Sequence, residues 1–310
     1  MKQWEDKMQN KTLYDVVILG SGPAGLQAAI HASRKKNSVL VLGRQSKSSL
    51  FHAHVENFCC VCTVSGAEIL RSGRQQAQEF GAEFLEEDVL QINPVGQLFE
   101  IKVESGNAVQ SKTLIIATGT ARKKLGVAGE KTLLGNGVSY CVECDANFYK
   151  GEDVAVIGGE SAAADGALTL TQYAKTVHLV SEKLQVVDTL KEELQKSDVT
   201  IHEGFKVRKI VGDNQVQEIV LDNGTRIPVS GAFIELGAKG VMELAFSLNV
   251  ALDDEIKFIQ TNKKFETNVP GIFAAGDVCG PPWQMAKAVG EGCVAGIGAA
   301  NYAKKLKLVE

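Results

Sequence analysis

Apolar and polar positions alternate in a pattern that occurs twice along the chain. Asp15-Val-Val-Ile-Leu19 is an apolar, β-rich run ended by Gly20-Ser-Gly-Pro-Ala-Gly25, after which Leu26, Ala29 and Ile30 recur at helical spacing. This predicts a strand, a glycine turn and a helix, with a second strand following over Ser38 to Leu42. A second copy opens at Asp153-Val-Ala-Val-Ile157 and continues through Gly158-Gly-Glu-Ser-Ala-Ala163, a helical run from Ala164 to Tyr173 and a strand from Thr176 to Val180. In both copies 23 positions separate the first glycine from the residue after the second strand, Gly20 to Gly43 and Gly158 to Ser181. Leu114-Ile-Ile-Ala-Thr-Gly119 and Gly271-Ile-Phe-Ala-Ala-Gly-Asp277 are further apolar strands ended by glycine.

A strand–glycine-turn–helix unit followed by a parallel strand is the arrangement that binds dinucleotides. Gly20 permits the tight turn, Gly22 lets the backbone approach a pyrophosphate, and Gly25 allows close helix packing; the helix start supplies amide donors and positive potential. The acid expected on the ribose at the end of the second strand is absent, because Gly43-Arg44 stands there. Two copies in one chain predict an α/β fold of two Rossmann-like, doubly wound nucleotide-binding domains, the second inserted in the first. The boundaries expected are 1–120 with 246–310 for an FAD-binding domain and 121–245 for the domain of a second nucleotide or its remnant, with hinges near 119–124 and 240–248.

The chain's 310 residues suffice for two such domains, and 45% hydrophobic with 23% charged residues is ordinary for folded protein. A net charge of −4 argues against nucleic acid as the main partner. Met1 to Tyr14 lack the apolar core of a secretory signal, and no uncharged apolar run approaches the ~18 residues that span a bilayer, so a cytoplasmic protein without membrane segments is expected. Seven cysteines in such a chain make a closely spaced pair catalytic or metal-binding rather than structural.

Gly20 to Gly25, Val55-Glu-Asn-Phe58, Ala117-Thr-Gly119, Cys141-Val-Glu-Cys-Asp145, Val156-Ile-Gly-Gly159 and Phe273-Ala-Ala-Gly-Asp-Val278 occur in the order found in low-molecular-weight thioredoxin reductases, which the chain resembles from about residue 13 to 300. The resemblance implies a homodimer, one FAD per subunit and a Cys-x-x-Cys pair on the inserted domain beside the flavin. It places Gly20, Gly22, Pro23, Ala24, Gly25, Asn57, Ala117, Thr118, Gly119, Gly276, Asp277, Trp283 and Gln284 at FAD. Cys144 becomes the sulfur that contacts the flavin, Cys141 the one that attacks a partner disulfide, and Asp145 the proton donor. Independently of the resemblance, two cysteines separated by two residues can close a disulfide across a turn and lower a thiol pKa. The competing zinc half-site needs two further ligands and is disfavoured by the flanking sequence; no metal is expected. Glu143 stands where the family more often has a small or neutral residue, and its charge should raise the thiol pKa.

The second copy departs from an NADPH site twice. Glu160 occupies the position of the middle glycine, and Ser181-Glu-Lys-Leu-Gln185 replaces the arginine-rich stretch that holds the 2′-phosphate. NADPH binding is therefore not expected, and NADH is not rescued, since Glu160 obstructs the pyrophosphate common to both. This segment is either a scaffold that has lost its ligand or a site for another one, a second flavin or adenylate. In this loss the chain resembles ferredoxin-linked flavin thioredoxin reductases and the deeply rooted cyanobacterial thioredoxin reductases. Trp283, after Pro281-Pro282, either stacks on the isoalloxazine or packs as an ordinary loop indole. Cys59, Cys60, Cys62, Cys279 and Cys293 read as buried small hydrophobes, His52 and His54 as surface residues, and Lys304, Lys305 and Lys307 as a basic tail suited to an acidic carrier or to a solvated helix end.

The expected function is a flavin-dependent thiol-disulfide oxidoreductase that passes electrons from ferredoxin or a similar carrier, rather than NADPH, through FAD to Cys141–Cys144 and on to thioredoxin or another protein disulfide. The alternatives are a disulfide oxidase of unknown partner with a second flavin, and a redox-sensing module in which the disulfide is a switch.

Overall fold

The computed structural model describes residues 13–59, 61, 64–119, 124–237, 241–254 and 257–307. The chain divides into two compact units, one made of Met1–Val103, Asn107–Ala121 and Ser247–Glu310, the other of Glu104–Gly106 and Arg122–Phe246.

The first unit opens with β1 (Leu13–Leu19), α1 (Pro23–Arg34) and β2 (Val39–Leu42), followed by the hairpin strands β3 (His54–Val55) and β4 (Val64–Ser65). Then come α2 (Gly66–Glu79), β5 (Glu83–Leu85), β6 (Val89–Val95), β7 (Leu98–Val103) and β8 (Ala108–Ile116). The sheet runs β5-β2-β1-β8-β7-β6, parallel over its first four strands and antiparallel over the last pairs. Pattern explains the difference. Every residue of β2 is buried, as a strand covered on both faces requires, whereas β6 loses its burial toward Val95 at the antiparallel edge. Helix α2 starts on a capping box in which Ser65 and Glu68 exchange side-chain and backbone hydrogen bonds.

The second unit contains β9 (Val138–Ser139), the short α3 (Val142–Asp145), β10 (Asp153–Ile157), α4 (Ser161–Leu170), β11 (Thr176–Ser181), α5 (Asp188–Lys196) and β12 (Val199–Glu203). After these come β13 (Val207–Val211), β14 (Glu218–Leu221), β15 (Arg226–Pro228), β16 (Gly231–Ile234) and α6 (Val241–Ser247). A parallel sheet, β12-β11-β10-β16-β9, packs against the antiparallel β13-β14-β15, with Ala155, Ile157, Val180, Ile219, Leu221 and Ile234 in the core between them. Helix α4 begins three residues before the expected Ala164 and stops at Leu170, because extended backbone at Glu160 releases the chain directly into the helix. At the other end the Thr171 hydroxyl turns back to the Leu168 carbonyl at 2.6 Å.

Returning to the first unit, β17 (Ile272–Ala274) adds to β8 in parallel and leads to α7 (Met285–Lys305). Helix α7 lies close on α1. A Cβ on Gly292 would stand 2.2 Å from the Ala24 carbonyl oxygen and one on Gly296 2.5 Å from that of Ala28, so glycine there is what permits the approach. No helix among the described residues is long and apolar enough to cross a membrane.

Candidate functional site

The parallel strands of the first unit end level with one another: Leu19 stands opposite Leu42 and Ile116, and Ala274 opposite Ile116. Their next residues, Gly20, Gly43, Ala117 and Ala275, therefore line the carboxyl edge of the sheet, where open α/β folds hold ligands. The expected glycines do not share one reason for being there. Gly20 has φ +114°, and a Cβ on it would lie 2.3 Å from the Ala117 carbonyl oxygen; on Gly25 a Cβ would lie 1.9 Å from that of Gly20. Packing demands these two. Gly22 has φ −79° and ψ −174°, open to any residue, and the nearest atom to an added Cβ is Ser48 Oγ at 3.4 Å. Neither strain nor packing requires glycine at 22. It caps α1, with Pro23 in the first turn, and leaves the amides of Ala24 and Gly25 facing the edge.

Gly276 and Asp277 reach the same edge from β17. Gly276 has φ +90°, and a Cβ there would meet the Ala24 Cβ at 2.9 Å, so this turn abuts the start of α1. Glu291 accepts from the Gly276 amide at 2.8 Å and Lys287 donates to its carbonyl at 2.9 Å, the two side chains being paired at 3.0 Å. Burial pushes the Asp277 carboxyl above its ordinary range; Lys287 opposes this and Glu291 adds to it. The Asn57 amide donates to the Gln284 side-chain carbonyl at 3.0 Å, which brings two expected site residues together. Ala117 is buried, Thr118 exposed and Gly119 intermediate, the last with φ +73°. Trp283 is 60% exposed.

The Cys141–Cys144 disulfide is formed, with Cα atoms 5.3 Å apart. Cys141 caps α3: its sulfur accepts from the Cys144 amide at 3.2 Å, so the pair closes across one helical turn. Ser139 links the pair to the acid beside it. Its hydroxyl accepts from the Cys141 amide at 3.0 Å and donates to Asp145 Oδ2 at 2.6 Å. Behind the helix, Glu235 accepts from the Val142 amide at 3.3 Å. Cys141 is 3% exposed while Cys144 and Asp145 are intermediate, so the residue expected to attack a partner disulfide is here the more enclosed of the two. Burial, with Asp145 nearby, raises the Tyr149 hydroxyl above its ordinary value.

In the second unit Ile157 stands opposite Val180 and Ile234, so Gly158, Ser181 and Glu235 line the edge that Gly20, Gly43 and Ala117 line in the first. Glu160 has φ −110° and ψ −176°, the extended backbone of Gly22, and carries a side chain where the first copy has a hydrogen. Ser181 is buried, and Glu182 is paired with Lys206 at 3.0 Å.

Several expectations need correction. Cys59 is exposed, and Cys279 and Cys293 are intermediate rather than fully buried; Cys60 and Cys62 lie outside the described residues. Burial and the neighbouring Glu291 push the Cys279 thiol up to about 12. His52 and His54 are exposed, as expected, and Lys304 and Lys305 are exposed at the end of α7. Ser139, Glu235, Lys287 and Glu291 are residues the sequence did not single out. Ser139, two positions before Cys141, had a positional signal; the others gain their meaning only through contacts distant in sequence.

Residues 14–292 match the model of the pyridine nucleotide-disulphide oxidoreductase family. The chain belongs to this family. Within it the chain is of the low-molecular-weight thioredoxin reductase type. A thioredoxin reductase of Listeria innocua is 34% identical over 307 residues, covering 95% of each chain. Among solved structures, an atypical thioredoxin reductase from Desulfovibrio vulgaris Hildenborough superposes with a TM-score of 0.84 at 31% identity, covering 94% of this chain and 98% of that one. A ferredoxin-flavin thioredoxin reductase from Clostridium acetobutylicum does so with 0.68 at 31% identity, covering 95% and 99%. The family fixes the general activity as FAD-dependent disulfide oxidoreduction, thioredoxin reductase-like, with Cys141–Cys144 as the disulfide in the chain.

Proposed function

We propose that this family member reduces thioredoxin, or another protein disulfide, with electrons from ferredoxin or a similar carrier instead of NADPH. The observation that carries the reading is the pair of equivalent positions Gly22 and Glu160. On similarly extended backbone, one copy has no side chain where a pyrophosphate would approach and the other has Glu160, whose bulk and charge disfavour that approach. The pairing of Glu182 with Lys206 and the burial of Ser181 add support, since neither offers the forked cation that suits a 2′-phosphate. The similar Clostridium acetobutylicum protein is a ferredoxin-flavin thioredoxin reductase.

The residues of the first unit fit FAD. A glycine with ordinary φ and nothing nearer than Ser48 Oγ at 3.4 Å to an added Cβ at position 22 is explained by a group approaching its backbone, and the Ala24 and Gly25 amides at the helix start are suited to its pyrophosphate. Gly20, Pro23, Ala117, Thr118, Gly119 and Gly276 would shape the cradle, Asp277 would meet a ligand hydroxyl, and Asn57, Trp283 and Gln284 would border the ring. Bound FAD supplies a centre able to exchange electrons both with a carrier and with a disulfide.

The chain's own cysteines carry out the exchange. In the dithiol, the Cys141 thiolate attacks one sulfur of the partner disulfide, forming a mixed disulfide and releasing the other sulfur as a thiolate, which Asp145 protonates. Cys144 then attacks Cys141, re-forming the disulfide and freeing the reduced partner. Since Cys141 is enclosed in the structure described, this step needs it to become exposed. A homodimer and a cytoplasmic setting belong to the same proposal.

The test is steady-state reduction of thioredoxin with each donor in turn. Turnover with reduced ferredoxin and none with NADPH is expected. Comparable turnover with NADPH would overturn the donor assignment, and turnover with neither would overturn the proposal as a whole.

A further inference from the structure

Lys287 stands where its own helix disfavours it. It is in the first turn of α7, which holds no acid, and the partial positive charge of a helix start repels a cation there. Its partner Glu291 follows it by four positions, the less favourable order for an oppositely charged pair on a helix. Both side chains are also largely withdrawn from water, 15% and 13% exposed, so desolvation weighs against the pair. Local structure therefore does not account for a lysine at this place.

Its contacts do. After β17 the chain turns at Gly276, whose φ of +90° and ψ of −152° are open to glycine alone. Lys287 Nζ donates to the Gly276 carbonyl at 2.9 Å while Glu291 accepts from the Gly276 amide at 2.8 Å, so the ion pair grips both polar groups of one residue. The Cys279 amide donates to the same carbonyl at 3.0 Å and closes the turn. A Cβ on Gly276 would meet the Ala24 Cβ at 2.9 Å, so the gripped residue also abuts the start of α1. Asp277 is next in the chain and half-buried. Burial disfavours its charged form, Lys287 favours it and Glu291 disfavours it.

We propose that Lys287, with Glu291, is a positioning residue for the flavin cofactor: it fixes the Gly276 peptide and so sets the Asp277 carboxylate to meet a ligand hydroxyl. The inference rests on the reading that Asp277 meets FAD. The lysine acts in two ways. Through the Gly276 carbonyl it holds the backbone from which Asp277 projects, and through its charge it offsets Glu291, whose carboxylate repels that of Asp277. A residue that breaks the preferences of its own helix to hold a turn beside a ligand edge is what a functional site allows and a merely structural one does not need. Because Lys287 works through Asp277, it should matter to FAD chiefly while Asp277 carries its carboxylate.

The experiment is a double-mutant cycle on FAD affinity, measured by fluorescence titration of the full chain freed of its flavin. Lys287→Met keeps an unbranched side chain and removes its charge and its donor; FAD should bind roughly tenfold more weakly, the worth of one charge-assisted hydrogen bond. In an Asp277→Asn background the same substitution should change the affinity less than about threefold, since groups that act through one another are not additive. An unchanged affinity in Lys287→Met would overturn the proposal. So would an equal loss in both backgrounds, because a lysine that only supported the fold would weaken binding alike with or without the Asp277 carboxylate. Should Lys287→Met fail to fold, Lys287→Gln enters the same cycle and is judged by the same two outcomes. The reading of Asp277 fails separately, if Asp277→Asn alone binds FAD as tightly as the natural protein.

Discussion

Substituting the two glycines at the start of α1 separates packing from ligand binding. Gly20→Ala forces a side chain to φ +114° and drives its Cβ to 2.3 Å from the Ala117 carbonyl oxygen, while Gly22→Ala meets only Ser48 Oγ at 3.4 Å with φ −79°. The first should destabilise the apoprotein by about 2 kcal/mol or more, through the disfavoured conformation and the displaced strand β8. The second should leave the apoprotein unchanged or more stable by about 0.4–1 kcal/mol, because alanine narrows the unfolded ensemble. Binding reverses the order of interest. A methyl group at position 22 denies FAD one charge-assisted hydrogen bond from the backbone, worth about 1.5–3 kcal/mol, or roughly 10- to 150-fold in affinity. Urea melts of the apoproteins, with FAD affinity from fluorescence titration, give both numbers. A Gly22→Ala protein that binds FAD as tightly as the natural one would refute the assignment of Gly22 to the cofactor, whatever its stability.

Other consequences concern the second unit. Cys141→Ser and Cys144→Ser should each lower disulfide reduction by roughly three orders of magnitude while FAD absorbance per subunit stays the same, and a variant that keeps turnover would exclude its cysteine from the exchange. Ser139→Ala removes the 2.6 Å bond that orients Asp145 and the acceptor of the Cys141 amide. The cost should be about 1–3 kcal/mol, read as roughly 5- to 150-fold slower single-turnover release of the reduced partner, with Ser139→Thr recovering part of it. On β11 and β12, ring nitrogens of His178 and His202 lie 3.1 Å apart, and burial pulls both below the ordinary 6.5, His202 adding to the effect at His178 against the pull of Asp153. Since the folded state then binds fewer protons than the unfolded one, the pair's contribution is complete above pH 6.5 and is lost as the pH falls below it. The thermal midpoint should drop toward pH of about 5 in the natural protein and drop less in His178→Asn; equal slopes would remove the pair from the account.

Much of this was legible in the sequence because the information is local. Strand, glycine turn and helix follow one another within about fifteen residues, so the period of apolar positions locates both copies, and the equal spacing from Gly20 to Gly43 and Gly158 to Ser181 is reproduced as equivalent sheet edges. The Cys-x-x-Cys spacing likewise specifies a bond that one helical turn can close. What the sequence withheld depends on distant pairing. Nothing near Glu235 shows that its carboxyl meets the Val142 amide, 93 positions away, and nothing near Glu291 shows that it holds Gly276. The glycine motif also hides a distinction between residues that look alike: Gly20 and Gly25 answer to neighbouring carbonyls, and Gly22 alone of the three is left for a ligand to explain. Cys59 misled in the opposite sense, since small-hydrophobe character predicts burial only where a core exists to receive the side chain, and Cys59 lies exposed beyond β3.

The most direct measurement is an anaerobic titration of the purified FAD-loaded protein, followed by its visible absorbance, with NADPH, NADH and enzymatically reduced ferredoxin in separate runs and thioredoxin added at the end. Bleaching by ferredoxin alone, reversed by oxidised thioredoxin, is the predicted result. Rapid bleaching by NADPH would contradict it, and would mean that Glu160 and the segment from Ser181 to Gln185 do not exclude the nucleotide.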